Sequence, residues 1–170
     1  PVSGDASARR YEVVRNEGEP VRLLMDSPPL VLGPPVKDGK AYAEIAHTSR
    51  TVAAFVGVDR LLAARGFVVP AILAADLDRG FLLVSHLGET GFLDAGGRPV
   101  AARYAAAAEL LAAMHARPWP GTAEVAPGVV HEIPPFDRAA MLIEVELLVE
   151  WYVPYATGKP PSDELRKRFA

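Results

Sequence analysis

A short run of small polar residues near the start of the chain has the composition best suited to binding a ligand. It consists of Ser3, Gly4, Asp5, Ala6 and Ser7, none of which carries a bulky side chain that would keep a ligand away from the backbone. The amide N–H groups and the serine hydroxyls of such a run can donate hydrogen bonds to phosphate oxygens. An ordinary turn before a strand has the same composition, so the run by itself leaves both interpretations open.

Other residues with reactive side chains are spaced in ways that argue against catalysis. The histidines are spread along the chain with no His-x-x-x-His spacing, which disfavours a metal site. Asp76 and Asp78 could form a carboxylate pair, but aspartates between two strand patterns are typical of a turn. Cysteine is absent, which excludes disulfides and thiolate chemistry. The four histidines are His47, His86, His115 and His131.

The composition narrows the class of protein. The 170 residues suffice for one domain with a real core, or for about one and a half small lobes. The net charge of -3 gives no basic surface of the kind that binds nucleic acid. No apolar run approaches the ~20 residues of a membrane helix. We therefore expect a cytoplasmic protein without a nucleic-acid or membrane partner. The start at Pro1 leads us to expect that upstream residues are missing.

The first half of the chain has the pattern of an antiparallel sheet with one helix. Period-2 alternation and Gly-, Asn- or Asp-containing turns indicate two hairpins. A helical pattern lies between them, and Gly66 directly follows it as a helix stop. The predicted helix runs from Thr48 or Ser49 to Arg65. The predicted strands cover 11–15, 21–25, 67–75 and 81–88. The sequence therefore predicts an α+β lobe of four to five strands, with the helix inserted after the third.

The second half has a helical pattern. A Gly-rich stretch over 89–99 is predicted to link two lobes, so that the domains are 1–88 and 100–170. Glutamates among the apolar residues of the middle helix are expected to form its solvated face. The glutamates are Glu144, Glu146 and Glu150. The predicted helices run over 100–116, from Asp137 to Pro154, and from Pro161 or Ser162 to a cut at Ala170.

Two proline-rich stretches are predicted as loops. Four prolines and two glycines over 26–40 argue against regular structure there. The stretch 117–135 is also predicted as a loop, and 42–46 is too short to assign.

A series of short motifs, in this order, resembles the aminoglycoside phosphotransferase family. The resemblance covers residues 3 to 155, and each motif is weak on its own. Within the family, the chain is most similar to the bacterial kinases that phosphorylate N-acetylmuramate or N-acetylglucosamine at the anomeric hydroxyl. The motifs are Ser3 to Ser7, Leu23 to Pro29, Gly66 to Pro70, Gly80 to Val84, His86 to Gly88, Met114-His115 and Trp151-Tyr152.

The resemblance implies a fold and a cofactor. The family is similar to protein kinases, with an antiparallel sheet lobe above a helical lobe and ATP between them. The loop Ser3 to Ser7 would cover the ATP phosphates. Ser85, His86 and Leu87 would form the hinge whose backbone contacts adenine. Residues 100 to 170 would then be the first helices of the substrate lobe, which binds a small sugar.

The chain departs from the kinase pattern at two matched positions. Kinases place a cation on a strand, held by a carboxylate on the helix, to neutralise the ATP phosphates. Met25 occupies the strand position, and the helix position falls close to Phe55. Both are expected to be apolar core residues. Phosphate neutralisation would then depend on loop amides, on metal, or on Arg9 or Arg10.

The catalytic loop of the family has no match in the chain. The family has a His-x-Asp loop followed by an Asn and a later Asp, which orient the acceptor hydroxyl and bind magnesium. The nearest string, His131 to Asp137, lacks that spacing. No catalytic or metal-binding residue is therefore predicted, the magnesium ligands are expected beyond residue 170, and the chain alone is expected to be inactive.

Two hypotheses follow. The first is an ATP-dependent phosphotransferase that phosphorylates a hydroxyl of an amino sugar or an aminoglycoside-like molecule, present as a fragment without its catalytic loop. The second is a non-catalytic kinase-like module that binds nucleotide or a protein partner, suggested by the missing ion pair. The acceptor hydroxyl and the oligomeric state stay open.

Overall fold

A computed structural model describes residues 8–169 of the chain. Its first half is built around a four-stranded antiparallel sheet in the order β1-β2-β6-β5. The strands are β1 (Arg10–Val14), β2 (Arg22–Asp26), β3 (Pro35–Lys37), β4 (Lys40–Ala41), β5 (Ile72–Asp76), β6 (Phe81–Ser85), β7 (Thr122–Ala126) and β8 (Val129–Glu132). The helices are α1 (Tyr42–Ile45), α2 (Val52–Ala64), α3 (Ala101–His115), α4 (Arg138–Leu147), α5 (Val153–Thr157) and α6 (Asp163–Phe169). The predicted α+β class is confirmed.

The sheet is stabilised by apolar side chains at alternate positions of its strands, which all point to the same face. In the register of β2 on β6, Met25 is paired with Leu82 and Leu23 with Val84. These side chains lie on the face that α2 covers, and the valines of α2 complete the layer. Burial of this apolar surface is the main stabilising term for such a sheet. The fully buried side chains of largest volume are Met25, Val52, Val56 and Leu82.

The helix α2 was predicted with the correct C-terminus, but its predicted start at Thr48 or Ser49 is too early. Gly66 directly follows the helix cap and has a φ of +81°, as the stop signal indicated. The helix begins at Val52, because the backbone of its N-cap, Thr51, is still extended. It follows the second strand of the four-stranded sheet and not the third, since β3 and β4 form a separate two-stranded ribbon.

The proline-rich stretch predicted as a loop contains structure. Pro35 to Lys37 pairs with Lys40 and Ala41 as a small hairpin, and α1 follows at once. Proline is tolerated there because a two-stranded ribbon leaves one side of each strand without a partner strand. We call residues 35–50 the strap, since they lead from β3 through α1 to the start of α2.

The stretch predicted as a loop between α3 and α4 also contains a hairpin. β7 and β8 pair antiparallel, and β7 packs on α2. Ala123 and Val125 are buried in this contact. A Cβ atom on Gly57 of α2 would lie 3.2 Å from the Cβ of Ala123, so glycine lets the strand approach the helix closely. The hairpin thus depends on tertiary packing that its own sequence does not reveal.

The helix that starts at Asp137 does not stop at Pro154. The Asp137 side chain accepts a hydrogen bond from the N–H of Ala140 at 2.9 Å, so the predicted N-cap is confirmed. Residues 148–152 then form a π-helical turn, and Pro154 lies in the first turn of α5. The wider turn restarts the hydrogen-bond pattern, which leaves proline at a position where its missing N–H is tolerated.

Among residues 8–169, no helix combines the length with the apolar composition that crossing a membrane requires. The longest described helix is α3, with 15 residues. The start of α6 agrees with its predicted cap, because the Ser162 hydroxyl oxygen accepts a hydrogen bond from the N–H of Leu165 at 3.2 Å.

One carboxyl group lies in the interior beside the core. Asp59 is on the face of α2 that also carries Val52 and Val56, and it is 9% exposed. Its Oδ1 atom has no hydrogen-bond partner among the described residues. Burial raises the pKa of this carboxyl, and the charge of Arg60 opposes the rise only in part. Ionised Asp59 is therefore a cost to the folded state at neutral pH.

We expect Asp59→Asn to stabilise the chain at pH 7 by about 1 kcal/mol, since it removes an unpaired buried charge. The folded pKa is raised, so the stabilising effect of protonated Asp59 is complete below its unfolded pKa and is lost as pH rises through the folded pKa. The gain should therefore shrink at acidic pH. Urea unfolding at pH 7 and pH 4 measures both values.

The matched control is Glu109→Gln, on the exposed surface of α3. This change removes the same charge without altering any buried group, so stability should stay the same at both pH values. Equal stability of Asp59→Asn and the original chain at pH 7 would contradict the cost assigned to Asp59.

Candidate nucleotide-binding site

The predicted site residues fall at three places. Ser3, Gly4, Asp5, Ala6 and Ser7 precede the described residues, so their arrangement lies outside the structure. Ser85 ends β6, and His86 and Leu87 directly follow it. Met25 is in β2, next to β6 in the sheet. The hinge candidates and Met25 therefore belong to the two central strands.

The end of β6 is held firmly in place. The backbone N–H of Ser85 donates to the carbonyl of Ala71 at 2.9 Å, and the Ser85 Oγ accepts from the N–H of Ala71 at 2.8 Å. His86 Nδ1 accepts a hydrogen bond from the N–H of Gly88 at 3.0 Å, which turns the chain away from the sheet. The backbone that follows β6 is thus fixed by contacts on both sides.

Leu87 lies directly after this fixed segment. The residue is 61% exposed, and no hydrogen bond to its N–H is present within the described part of the chain. An unpaired N–H on a fixed, exposed segment is available to donate to a ligand, as adenine recognition by a hinge requires. The Ser85 N–H and hydroxyl are already engaged with Ala71 and would not serve that purpose.

Met25 lies in the apolar core with none of its surface exposed. It packs with Val52 and Val56 of α2, and Phe55 packs beside this cluster as a half-buried neighbour. The expectation that Met25 and Phe55 are core residues is confirmed. The contact that holds the helix to the strand is therefore apolar, where kinases have a charged pair.

The carboxylate of Asp76, at the end of β5, is hydrogen-bonded within the turn that follows the strand. Asp76 Oδ1 accepts from the N–H of Arg79 at 3.0 Å, and the Arg79 side chain binds the other oxygen at 2.7 Å. These hydrogen bonds lower the pKa of Asp76. The prediction that Asp76 forms a turn is confirmed. Among the residues that the structure describes, no group of three or more acidic or histidine side chains is placed to hold a metal ion.

The glutamates of α4 and of the π-helical turn that follows it do not form a simple solvated face. Glu144 and Glu146 contact side chains of the strap, and Glu150 binds Arg166 of α6 at 2.8 Å and 3.1 Å. Arg166 lowers the pKa of Glu150 through this pair. The sequence pattern placed these residues correctly on the polar side of the helix, but it could not show which partners would meet them.

A large cleft of the described chain does not include the candidate hinge. It measures about 990 Å³ and lies between the strap, α2 and the segment that follows β8. His47 and His131 line it together with Phe136. His115, by contrast, is exposed at the end of α3, where Trp119 Nε1 donates to the carbonyl of Met114 at 2.8 Å. The candidate hinge is an exposed edge and not an enclosed cavity.

The arrangement defines a class of protein. An antiparallel sheet with one long helix packed on it, a connecting segment after the last strand, and helices beyond that segment form the plan of kinase-like phosphotransferases. The chain belongs to the phosphotransferase enzyme family, whose model matches residues 1–165.

Three curated relatives are similar over nearly the whole chain. Two are N-acetylmuramate/N-acetylglucosamine kinases of Pseudomonas aeruginosa (33% identical, 99% of this chain) and Pseudomonas putida (34%, 95%). The third is the N-acetylmuramate/N-acetylglucosamine kinase of Caulobacter vibrioides (31%, 88%). The chain spans only 42%, 40% and 44% of these relatives' own lengths. No solved structure matches the chain.

Proposed function

We propose that the chain is the nucleotide-binding part of an ATP-dependent phosphotransferase that phosphorylates a hydroxyl of an amino sugar. The observation that carries this proposal is the family match over residues 1–165, together with relatives that act as amino-sugar kinases. N-acetylmuramate and N-acetylglucosamine are the acceptors to test first, since the relatives are named for them. Free sugar is the small-molecule partner in this proposal.

The proposed division of the chain follows the change from sheet to helices. Residues 1–88 bind the nucleotide, 89–99 link the parts, and 100–170 begin the substrate lobe. The link is supported by a bridge between Leu93 and Pro99, which closes a turn after the sheet and before α3. The hairpin of β7 and β8 belongs to the second part but packs back on α2, which joins the two parts.

In the proposed site, adenine contacts the backbone of Ser85 to Leu87, and the phosphates meet Ser3 to Ser7. The free N–H of Leu87 fits the adenine contact, since it can donate to a ring nitrogen. Met25 is fully buried, so in this proposal it supports the site indirectly by holding β2 and β6 on α2. Bound ATP would supply the transferred phosphoryl group, and magnesium would neutralise its charge.

We place the catalytic carboxylate and the magnesium ligands in sequence beyond residue 170. The support is that the chain spans only 42% and 40% of the length of two related kinases. The 170 residues alone should therefore transfer no phosphate to the sugar. Labelled phosphate on N-acetylglucosamine, after incubation of the chain with labelled ATP, would overturn this assignment.

We expect Gly4→Val to weaken ATP binding about tenfold, equal to ~1.4 kcal/mol. A branched side chain would keep the phosphates from the loop amides. Isothermal titration calorimetry of the chain with ATP and with adenosine measures this effect. Adenosine lacks phosphates and serves as the internal control, so its affinity should not change. Unchanged ATP affinity would return the loop to an ordinary turn.

A second candidate function is a non-catalytic nucleotide- or protein-binding module. The observation that favours it is the apolar contact of Met25 with Val52 and Val56, where an active kinase has an ion pair. The coding sequence after residue 170 distinguishes the two. A His-x-Asp-x-x-x-x-Asn loop followed by a further Asp supports the enzyme, and a stop codon or a scrambled loop supports the module.

A further inference from the structure

Three polar contacts join the strap to α4. Lys37 Nζ lies 2.6 Å from Glu146 Oε1, the Tyr42 hydroxyl donates to Glu144 Oε1 at 2.6 Å, and His47 Nε2 lies 3.1 Å from Asp137 Oδ2. Each contact links residues about 90 or more positions apart in sequence. The partners on α4 and its cap all bear carboxylates. The strap is therefore tied to α4 at both its ends and at its centre.

The central contact, between Tyr42 and Glu144, strongly shifts the pKa of the tyrosine. The Glu144 carboxylate raises the pKa of Tyr42 to about 12, so the phenol stays protonated and donates throughout the neutral range. A hydrogen bond from a hydroxyl to a carboxylate is short and directional. It fixes α1 at one position along α4.

The contact at the end of the strap also acts on the start of α4. Asp137 accepts from the N–H of Ala140 as the N-cap and is paired with His47 as well, and both interactions lower the pKa of Asp137. His47 has a φ of +53°, an uncommon conformation for a residue with a side chain. The surrounding contacts must maintain that conformation.

The strap is connected rigidly to α2. Glu44 accepts from the N–H of Ala41 at 3.0 Å and from the Arg50 side chain at 3.1 Å. The carbonyl of Arg50 accepts from the N–H of Leu30 at 2.8 Å. Arg50 directly precedes Thr51, the N-cap of α2. The strap is thus hydrogen-bonded to α4, and its last residue, Arg50, leads directly into the N-cap of α2.

We propose that Lys37, Tyr42 and His47 are positioning residues that fix the start of α2 relative to α4. The cluster of Met25 with Val52 and Val56 holds α2 on the sheet and includes no residue of α4, so it does not by itself set where α2 lies relative to α4. The three polar contacts make that connection through the strap. This proposal rests on the proposed function, because the position of α2 affects nucleotide binding only if the chain binds nucleotide.

The test removes two of the contacts without changing side-chain volume greatly. The variant Lys37→Met, Tyr42→Phe loses the charge and the hydroxyl that reach α4. The control Lys159→Met, Tyr155→Phe makes the same chemical changes on exposed residues away from the strap. Native-state hydrogen exchange then reports the opening of each segment separately.

We expect amides of the strap and the first turn of α2 to exchange about tenfold faster in the variant. Amides of β2 and β6 should keep their protection, as should all amides of the control. Unchanged exchange in the strap would overturn the proposal. Faster exchange throughout the sheet would also overturn it, since that outcome marks general destabilisation and not loss of positioning.

Nucleotide titration of the same proteins separates this proposal from the proposed function. If the strap positions α2, the variant should bind ATP about threefold to tenfold more weakly than the control. Faster strap exchange with unchanged ATP affinity would refute the positioning role. Failure of the original chain to bind ATP would refute the proposed function, and the exchange data would still show whether the contacts hold the strap.

Discussion

We expect Met25→Lys to destabilise the chain by about 3–5 kcal/mol, enough to unfold much of it. This substitution introduces the cation that kinases carry at the same strand position. Met25 has none of its surface exposed and packs against Val52 and Val56, so the ammonium group would be buried without a carboxylate. An unpaired buried charge is among the most costly changes that a protein interior can undergo.

Chemical denaturation followed by circular dichroism measures the loss, with Met25→Leu as the matched control. Leucine keeps the volume and the apolar character of methionine, so it should cost less than about 1.5 kcal/mol. A Met25→Lys chain as stable as the Leu variant would mean that the lysine reaches a carboxylate or solvent. In that case the site would be closer to a charged kinase site than the apolar core indicates.

The same position shows how far the sequence could predict the site. Period-2 alternation placed Met25 in a strand, on the same face as Leu23, because that pattern is local and therefore visible in the sequence. The facing residues on α2 did not follow, because the match to the kinase pattern gave only an approximate helix position close to Phe55. The structure places Val52 and Val56 against Met25 and Phe55 beside them. The exact rotation of a helix depends on packing, which counting cannot supply.

The elements that were missed are those held by distant partners. The β7 and β8 hairpin is stabilised by the contact of Ala123 and Val125 with α2, and α1 by Tyr42 and its contact with Glu144. Neither segment has a strong local pattern: the hairpin lies in a stretch predicted as a loop, and α1 lies in a stretch that was too short to assign. The predicted helices α3 and α4 succeeded because alanine-rich composition and the Asp137 cap act locally.

The candidate hinge residues are an intermediate case. The family resemblance pointed to Ser85, His86 and Leu87, which lay inside the predicted strand 81–88, and the structure ends β6 at Ser85, so that His86 and Leu87 follow the strand. The exchange of hydrogen bonds between Ser85 and Ala71 could not be foreseen, since it depends on how β5 approaches β6. As a result, only the structure shows that the N–H of Leu87 has no hydrogen-bond partner among residues 8–169, while the Ser85 N–H donates to Ala71.

Gly80 holds the turn before β6 against the end of β2, and no other residue fits there. Its φ is +77°, and a Cβ atom built on it would lie 2.2 Å from the carbonyl oxygen of Ser27. The carbonyl of Gly80 also accepts from the N–H of Ser27 at 2.9 Å. Because the obstructing atom belongs to the backbone, a side-chain rotation cannot relieve the clash.

We expect Gly80→Ala to cost about 3 kcal/mol or more, from the left-handed backbone, the clash and the lost hydrogen bond together. The matched control is Gly66→Ala, since Gly66 has a φ of +81° but nothing within 4 Å of the added Cβ. The control should cost about 1–2 kcal/mol, the penalty of the backbone conformation alone. Urea unfolding of both variants measures the difference, and equal losses would show that the Ser27 carbonyl moves aside freely. A large difference would mean that the turn anchors β6 to β2, so that the strand which ends in the candidate hinge is fixed from its first residue.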